Sequence, residues 1–268
     1  MKATVTAVVV HYRGAGHVQR CVESCLADPA VARIVIVDNE GVADDLRRAF
    51  ADSRVRVLAV GANAGYGRAA NAGLAESRSP GVLVLNQDVV LPPGTVGPLL
   101  DVGRAMGAWL VAPRLMDDRG VIAVAKDRLP WPLPWRPPAQ DSRVAPGRYV
   151  PWVPGAAVLL MPGHTELRFD ERYFMYVEDE DLCARVWAAG GRVVLAADVV
   201  VRHVGGTAAT QRWSRSAIAL RVHFGRIRMV HAHRGTTFAA AHAARSLVSA
   251  VGRATRRLAG ACRLRADG

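Results

Sequence analysis

Short runs of branched apolar residues, each closed by polar ones and followed by a stretch with helical spacing, constrain this chain most. Thr4–Val10 has the texture of a strand buried on both faces, and Arg33-Ile34-Val35-Ile36-Val37 and Val82-Leu83-Val84-Leu85 repeat it. Helices are predicted over 17–27, 42–51 and 66–77, with a further strand at 54–60. Strands alternating with helices specify an α/β fold on a mostly parallel sheet. Ligands of such sheets bind outside the carboxyl ends of the strands. Three of those ends here carry Tyr12-Arg13, Asp38-Asn39 and Asn86-Gln87-Asp88.

The texture then changes. Residues 127–154 hold eight prolines and three tryptophans, Trp131, Trp135 and Trp152, too irregular for a helix or central strand. A long structured loop of this kind is either a binding loop or a proline-stiffened connection. Beyond it a strand is expected at 156–161. Glu178-Asp179-Glu180-Asp181 then opens a helix over 179–189, stopped by Gly190-Gly191. Strands at 192–196 and 199–203 end at His203. The tail reads as two helices. Trp213, Ala217, Leu220, Phe224 and Ile227 share one face of the first. Ala244, Leu247, Val248, Val251, Leu258 and Cys262 form a stripe on the second, opposite Arg245, Arg253, Arg256, Arg257 and Arg263. The chain thus divides into an α/β domain over 1–211 and a basic helical extension over 212–268.

The net charge of +12 is regional: from Arg212 onward there are twelve arginines and one acid, Asp267. A basic region faces nucleic acid, anionic lipid or a diphosphate alike. No nucleic-acid reader motif accompanies it, and its arginines flank an amphipathic stripe. That stripe suits a membrane interface, packing on the α/β domain, or a homodimer contact. No apolar run approaches membrane-spanning length, and no secretory pattern follows Lys2, so a cytoplasmic location is expected, with peripheral contact at the inner face of the membrane through the tail. Cys21, Cys25, Cys183 and Cys262 form no C-x-x-C pair and read as free thiols.

Four features bear on chemistry. Gly14-Ala15-Gly16 followed by Asp38 imitates a dinucleotide fingerprint, but Gln19 occupies the third glycine position and Arg13 intervenes after the strand, which excludes it. Asp88, at a buried strand end, can hold Mg²⁺ or Mn²⁺ against a diphosphate, or simply close a turn before Pro92-Pro93. The four acids at 178–181 exceed what a helix dipole uses, because their repulsion needs a cation or a proton-transfer role. One of them suits a general base acting on a hydroxyl. His203, before Gly205-Gly206, is either a second metal ligand or a satisfied core histidine.

Taken in order, these residues resemble the inverting glycosyltransferase family 2, most of all its bacterial rhamnosyltransferase-like members. The matching segments are Val8–Tyr12, Ile36–Asn39, Asn63–Leu74, Leu85–Asp88, Gly155-Ala156, Phe169–Leu182 and Ala189-Gly190 through to His203, covering roughly residues 4–210. The resemblance implies a GT-A fold, a Rossmann-like sheet with a nucleotide-binding half over about 1–125 and an acceptor and catalytic half over about 126–211. It also implies metal-assisted transfer of a sugar from a nucleoside diphosphate sugar, dTDP-L-rhamnose or alternatively a UDP-hexose, to an acceptor hydroxyl with inversion. The acceptor would be a sugar, a lipid-linked sugar or a natural product. Non-catalytic sugar-nucleotide or nucleic-acid binding is the alternative.

Roles follow position by position from that resemblance. Asp38 would accept a hydrogen bond from a pyrimidine base, with Tyr12 beside the ring. Asn63, Gly65 and Asn71 would line the nucleotide pocket, together with Gly155 and Ala156. Asp88 holds the last place of the family's metal-binding triplet, with Asn86 at the first, and His203 matches its C-terminal metal histidine. Asp179 matches the catalytic base. Arg13 and Gly41 depart from the family pattern, where asparagine and serine are frequent, and bear on donor contacts.

Overall fold

A computed structural model describes residues 4–120, 122–123, 146–204 and 213–246. Most of the Pro/Trp-rich loop and most of the 244–263 stripe lie outside the described residues, as does the sequence-based boundary at 211–212.

The strands are β1 (Val5–His11), β2 (Val31–Asp38), β3 (Val55–Ala59), β4 (Gly81–Asn86), β5 (Val89–Val90), β6 (Leu110–Met116), β7 (Ile122–Ala123), β8 (Arg148–Tyr149), β9 (Ala157–Leu160) and β10 (Val193–His203). They form one sheet in the order β3-β2-β1-β4-β9-β6-β10-β5, with β7 on β6 and β8 on β10. β1 is parallel to β2 and β4, β2 to β3, and β6 to β10. β9 runs antiparallel to both β4 and β6 and joins the two parallel halves. Helices α1 (Ala15–Leu26), α2 (Ala43–Ala49), α3 (Tyr66–Glu76), α4 (Val96–Met106) and α5 (Glu178–Ala188) accompany it. Apolar clusters lie on both faces: Val9, Ile34, Ile36, Leu83 and Leu85 with α1 on one side, Val8, Val35, Val37, Val82 and Val84 with α3 on the other. Burial on both faces is why these strands read as continuous apolar runs rather than alternating ones.

Two elements depart from the sequence reading. The strands expected at 192–196 and 199–203 are one strand, β10, whose register against β6 shifts between Ala196 and Val200. The extra residues form a bulge that turns Asp198 outward, and hydrophobicity alone reads that as a break. The stretch 89–120, where the sequence suggests no more than a turn after Asp88, holds β5, α4 and β6. Pro98 sits in the first turn of α4, where a missing N–H costs nothing, and Gly107 closes the helix with φ of 59°. Its N-terminal amide, that of Val96, donates to Asp28 Oδ2 at 3.0 Å from the loop between α1 and β2, a cap that no local motif reveals.

The chain falls into two compact units, Met1–Ile218 and Ala219–Gly268. The second contains most of α6 (Arg215–Arg234), a break at Gly235 and a helical stretch over 236–246. No helix among the described residues is long and apolar enough to cross a membrane.

Candidate active site

The carboxyl ends of β1, β2 and β4 open onto a cavity of about 260 Å³, closed on the far side by the 154–156 and 175–179 segments and by the end of β10. Among the sequence-predicted residues, Tyr12, Asn63, Asn86, Asp88, Gly155, Ala156, Asp179 and His203 all line it. Asp38, Gly65 and Asn71 do not.

Each of those three acts one layer back. Asp38 is fully buried; its Oδ1 accepts from the amides of Glu40 and Gly41, at 3.0 Å each, while its Oδ2 is buried without a partner. Gly65 precedes α3 with φ of 92°, and its carbonyl backs the Asn39 amide. Asn71 binds backbone instead of a pocket. Its side chain donates to the Phe169 carbonyl and accepts from the Phe169 amide, both at 2.9 Å, which ties the 169–177 segment to α3.

At one end of the cavity His203 Nε2 stands 3.2 Å from Asp88 Oδ1 and 3.5 Å from Asn86 Nδ2. The antiparallel pairing of His203 with Val89 brings them together. Burial works against an ionised Asp88, but the hydrogen bond and charge of His203 overcome it and hold the carboxyl below its ordinary value. An oxygen and an imidazole nitrogen converging at a cavity wall fit Mg²⁺ or Mn²⁺. Among the described residues no group of three His, Cys, Asp or Glu side chains gathers. A cation here would therefore complete its shell with ligand oxygens and water.

At the other end Asp179 Oδ2 accepts from the Gly155 amide at 2.9 Å and Oδ1 from the Glu180 amide at 2.8 Å. The Gly155 carbonyl in turn receives the Tyr66 hydroxyl at 2.6 Å, so one residue is gripped from both sides. Burial first, then the charge of Glu180, push the Asp179 carboxyl up to about 6; the Gly155 and Glu180 amides hold it from rising further. The Trp152 indole N–H also opposes the rise, though it falls outside hydrogen-bond geometry. Burial and the charge of Asp179 drive Glu178 well above the carboxylate range, and its Oε2 is buried without a partner. Glu180 and Asp181 face away from the cavity; Asp181 is paired with Arg185 at 2.8 Å. The four acids thus divide into two at the site and two in the scaffold.

The sequence reading missed several lining residues: Asn39, Tyr66, Gln87, Met175 and Tyr176. Gln87 is the most informative. Its Oε1 accepts from the Tyr12 amide at 3.0 Å and meets His11 Nδ1 at 2.6 Å, while its Nε2 donates to the carbonyls of Tyr12 and Arg13. The middle residue of the Asn86-Gln87-Asp88 triplet thereby fixes the loop that carries Tyr12. Asn39 and Tyr66 stand inside recognisable motifs, but nothing in their spacing tells which way they point.

Two solved structures share this fold. GalNAc-T7 with UDP, GalNAc and Mn²⁺ matches with a TM-score of 0.66 at 14% identity, over 85% of this chain and 48% of that one, so the chain spans about half its length. The mannosyltransferase PcManGT from Pyrobaculum calidifontis, in complex with GDP-Man and Mn²⁺, matches with a TM-score of 0.60 at 15% identity, over 98% of this chain and 81% of that one. The fold is GT-A. At the sequence level, the model of glycosyl transferase family 2 matches residues 6–138. The N-acetylglucosaminyl-diphospho-decaprenol L-rhamnosyltransferase of Mycobacterium tuberculosis is 30% identical over 236 residues, 76% of each chain. The chain belongs to glycosyltransferase family 2 and is a glycosyltransferase.

Proposed function

We propose that the enzyme transfers L-rhamnose from dTDP-L-rhamnose to a hydroxyl of a lipid-linked acceptor sugar, by in-line displacement with inversion. The observation that carries the chemistry is Asp179, a half-buried cavity-lining carboxylate pushed up to about 6 and anchored by two backbone amides. A base near the working pH takes a proton efficiently while staying largely ionised. Asp179 removes the acceptor hydroxyl proton as that oxygen attacks the anomeric carbon. Tyr66 and Gly155 keep the carboxylate oriented. Tyr12, at the cavity wall, offers a ring for a pyrimidine base to stack on, while Asp38, one layer back, holds the turn at Glu40-Gly41 that follows β2. Asp88 and His203 would hold a divalent cation, which supplies positive charge to the departing diphosphate. The choice of rhamnose and of a lipid-linked acceptor follows the mycobacterial relative, whose name specifies both.

The test is a donor screen with Mn²⁺ or Mg²⁺ and a short-chain polyprenyl-diphospho-N-acetylglucosamine acceptor. Transfer from dTDP-L-rhamnose, with the anomeric configuration of the product opposite to that of the donor, is expected. Transfer only from UDP- or GDP-hexoses would overturn the donor, and retained configuration would overturn the mechanism.

A further inference from the structure

The described residues expose three large apolar side chains, all in the second unit: Leu220 at 56%, Phe224 at 63% and Phe238 at 46%. Leu220 and Phe224 sit one turn apart on α6, with half-buried Ile227 on the same stripe. Exposed Arg221 and Arg228 flank it along the helix. Arg234 lies over the Phe238 ring, 4.2 Å from its centroid. The helix already has an inward side, where Met229 and Val230 are buried. The Leu220–Phe224 stripe is therefore a second apolar side left in water. Charge adds to this: residues 219–268 carry ten of the chain's 35 basic side chains but one of its 23 acids.

We infer that the Leu220–Phe224 stripe of α6, with exposed Phe238 beyond the Gly235 break, docks on the surface of an anionic lipid bilayer. Charge complementarity selects the occupant. A helix that presents leucine and phenylalanine between arginines buries the apolar groups at the acyl boundary while guanidinium groups meet lipid phosphates. A nucleic-acid backbone would satisfy the arginines and leave the Leu220–Phe224 stripe wet. The inference deepens the proposed function and rests on its lipid-linked acceptor for its purpose, since docking brings the catalytic chain to where that acceptor is held. It concerns α6 and 236–246, whose exposure the structure shows.

The experiment is co-sedimentation of the full chain with vesicles of phosphatidylcholine alone, or with about a third phosphatidylglycerol, at low and high salt. Wild type is expected to pellet with the anionic vesicles only, less at high salt. Leu220→Ser/Phe224→Ser/Phe238→Ser should lose about tenfold or more of that affinity. Its thermal shift with nucleotide and Mn²⁺ should stay unchanged; should the triple variant misfold, Phe224→Ser alone should weaken binding in the same direction. Failure of wild type to pellet, equal binding to neutral vesicles, or unchanged binding of the variants overturns the inference. So does a dimer in sedimentation that the substitutions dissolve while neither form binds vesicles, which would assign the face to a second copy. Failure of the proposed reaction would show in the donor screen and leave vesicle binding untouched.

Discussion

Asp179 and Glu178 are neighbours in sequence with different surroundings, and that difference assigns their roles. Asp179 keeps two amide donors, whereas Glu178 has an oxygen with none. Asp179 must be ionised to act, so transfer should fall as pH drops through about 6, its folded-state value. Because that value lies above the unfolded one, the folded state binds the extra proton, and the stability cost of ionising Asp179 grows as pH rises from about 4 to 6. Asp179→Asn should then cost roughly a hundredfold or more in kcat, abolish the acidic limb near 6, and leave donor affinity within a few-fold. Steady-state kinetics from pH 5 to 8 measure all three. Near-normal turnover with the limb intact would pass the role to Glu178, the other member of the four-acid cluster that lines the cavity. The sequence marks a cluster of four acids, and the resemblance picks out Asp179. What cannot be read there is that Glu180 and Asp181 turn inward, because their direction depends on the phase of α5 against the core.

Elements are most legible where burial is two-sided. β1, β2 and β4, with α1 and α3, read directly from apolar runs and helical spacing, since β1 and β4, most of β2 and one face of each helix are buried in the core. α4 escapes notice because its N-terminal amide is satisfied by Asp28, far away in sequence. The reversed β9 escapes because orientation within a sheet leaves no trace in hydrophobicity. Asn71 resembles a pocket residue but clamps the 169–177 segment, and Gly65 shares that task. Its φ of 92° and ψ of 164° are open to glycine almost alone, and a Cβ there would collide with the Phe174 carbonyl. The same carbonyl accepts from the Tyr66 amide at 2.9 Å, so a shift would spread to α3 and to the segment leading into Asp179. Gly61, in the same loop, has φ of 82°, and a Cβ added there would meet nothing within 4 Å. Gly61→Ala should therefore cost about 1 kcal/mol of conformational strain, and Gly65→Ala distinctly more, with lower kcat as well. Melting temperatures and turnover of the two variants decide this; equal losses would mean that the close approach to Phe174 carries no weight.

At the scale of the whole molecule, the site exists because the sheet gathers strand ends that are remote in sequence. Asp88 and His203 meet only because β10 crosses beside β6 and ends against β5. The sequence offers each as a candidate with an ordinary alternative, a turn or a core histidine, and only the resemblance links them. Their separation of 3.2 Å fits a shared cation, and that makes a quantitative claim. Two ligands of one ion act as a unit, so losing either should forfeit most of what losing both does. Asp88→Ala and His203→Ala should each raise the Mn²⁺ concentration needed for half-maximal donor binding by about tenfold or more, and the double variant should be little worse than the poorer single one. Arg202→Ala is the control, because Arg202 is adjacent to His203 but pairs with Asp118 at the surface. An exposed pair of that kind contributes little to stability, about 0–1 kcal/mol, and its loss should leave the Mn²⁺ requirement unchanged. Titrating Mn²⁺ against donor-induced thermal shift in the four variants gives the coupling directly. Additive effects would mean that Asp88 and His203 act separately, with His203 orienting Asp88 rather than binding metal. Donor binding unaffected by excess chelator would remove the cation altogether and leave the charge on the diphosphate to be met by protein groups.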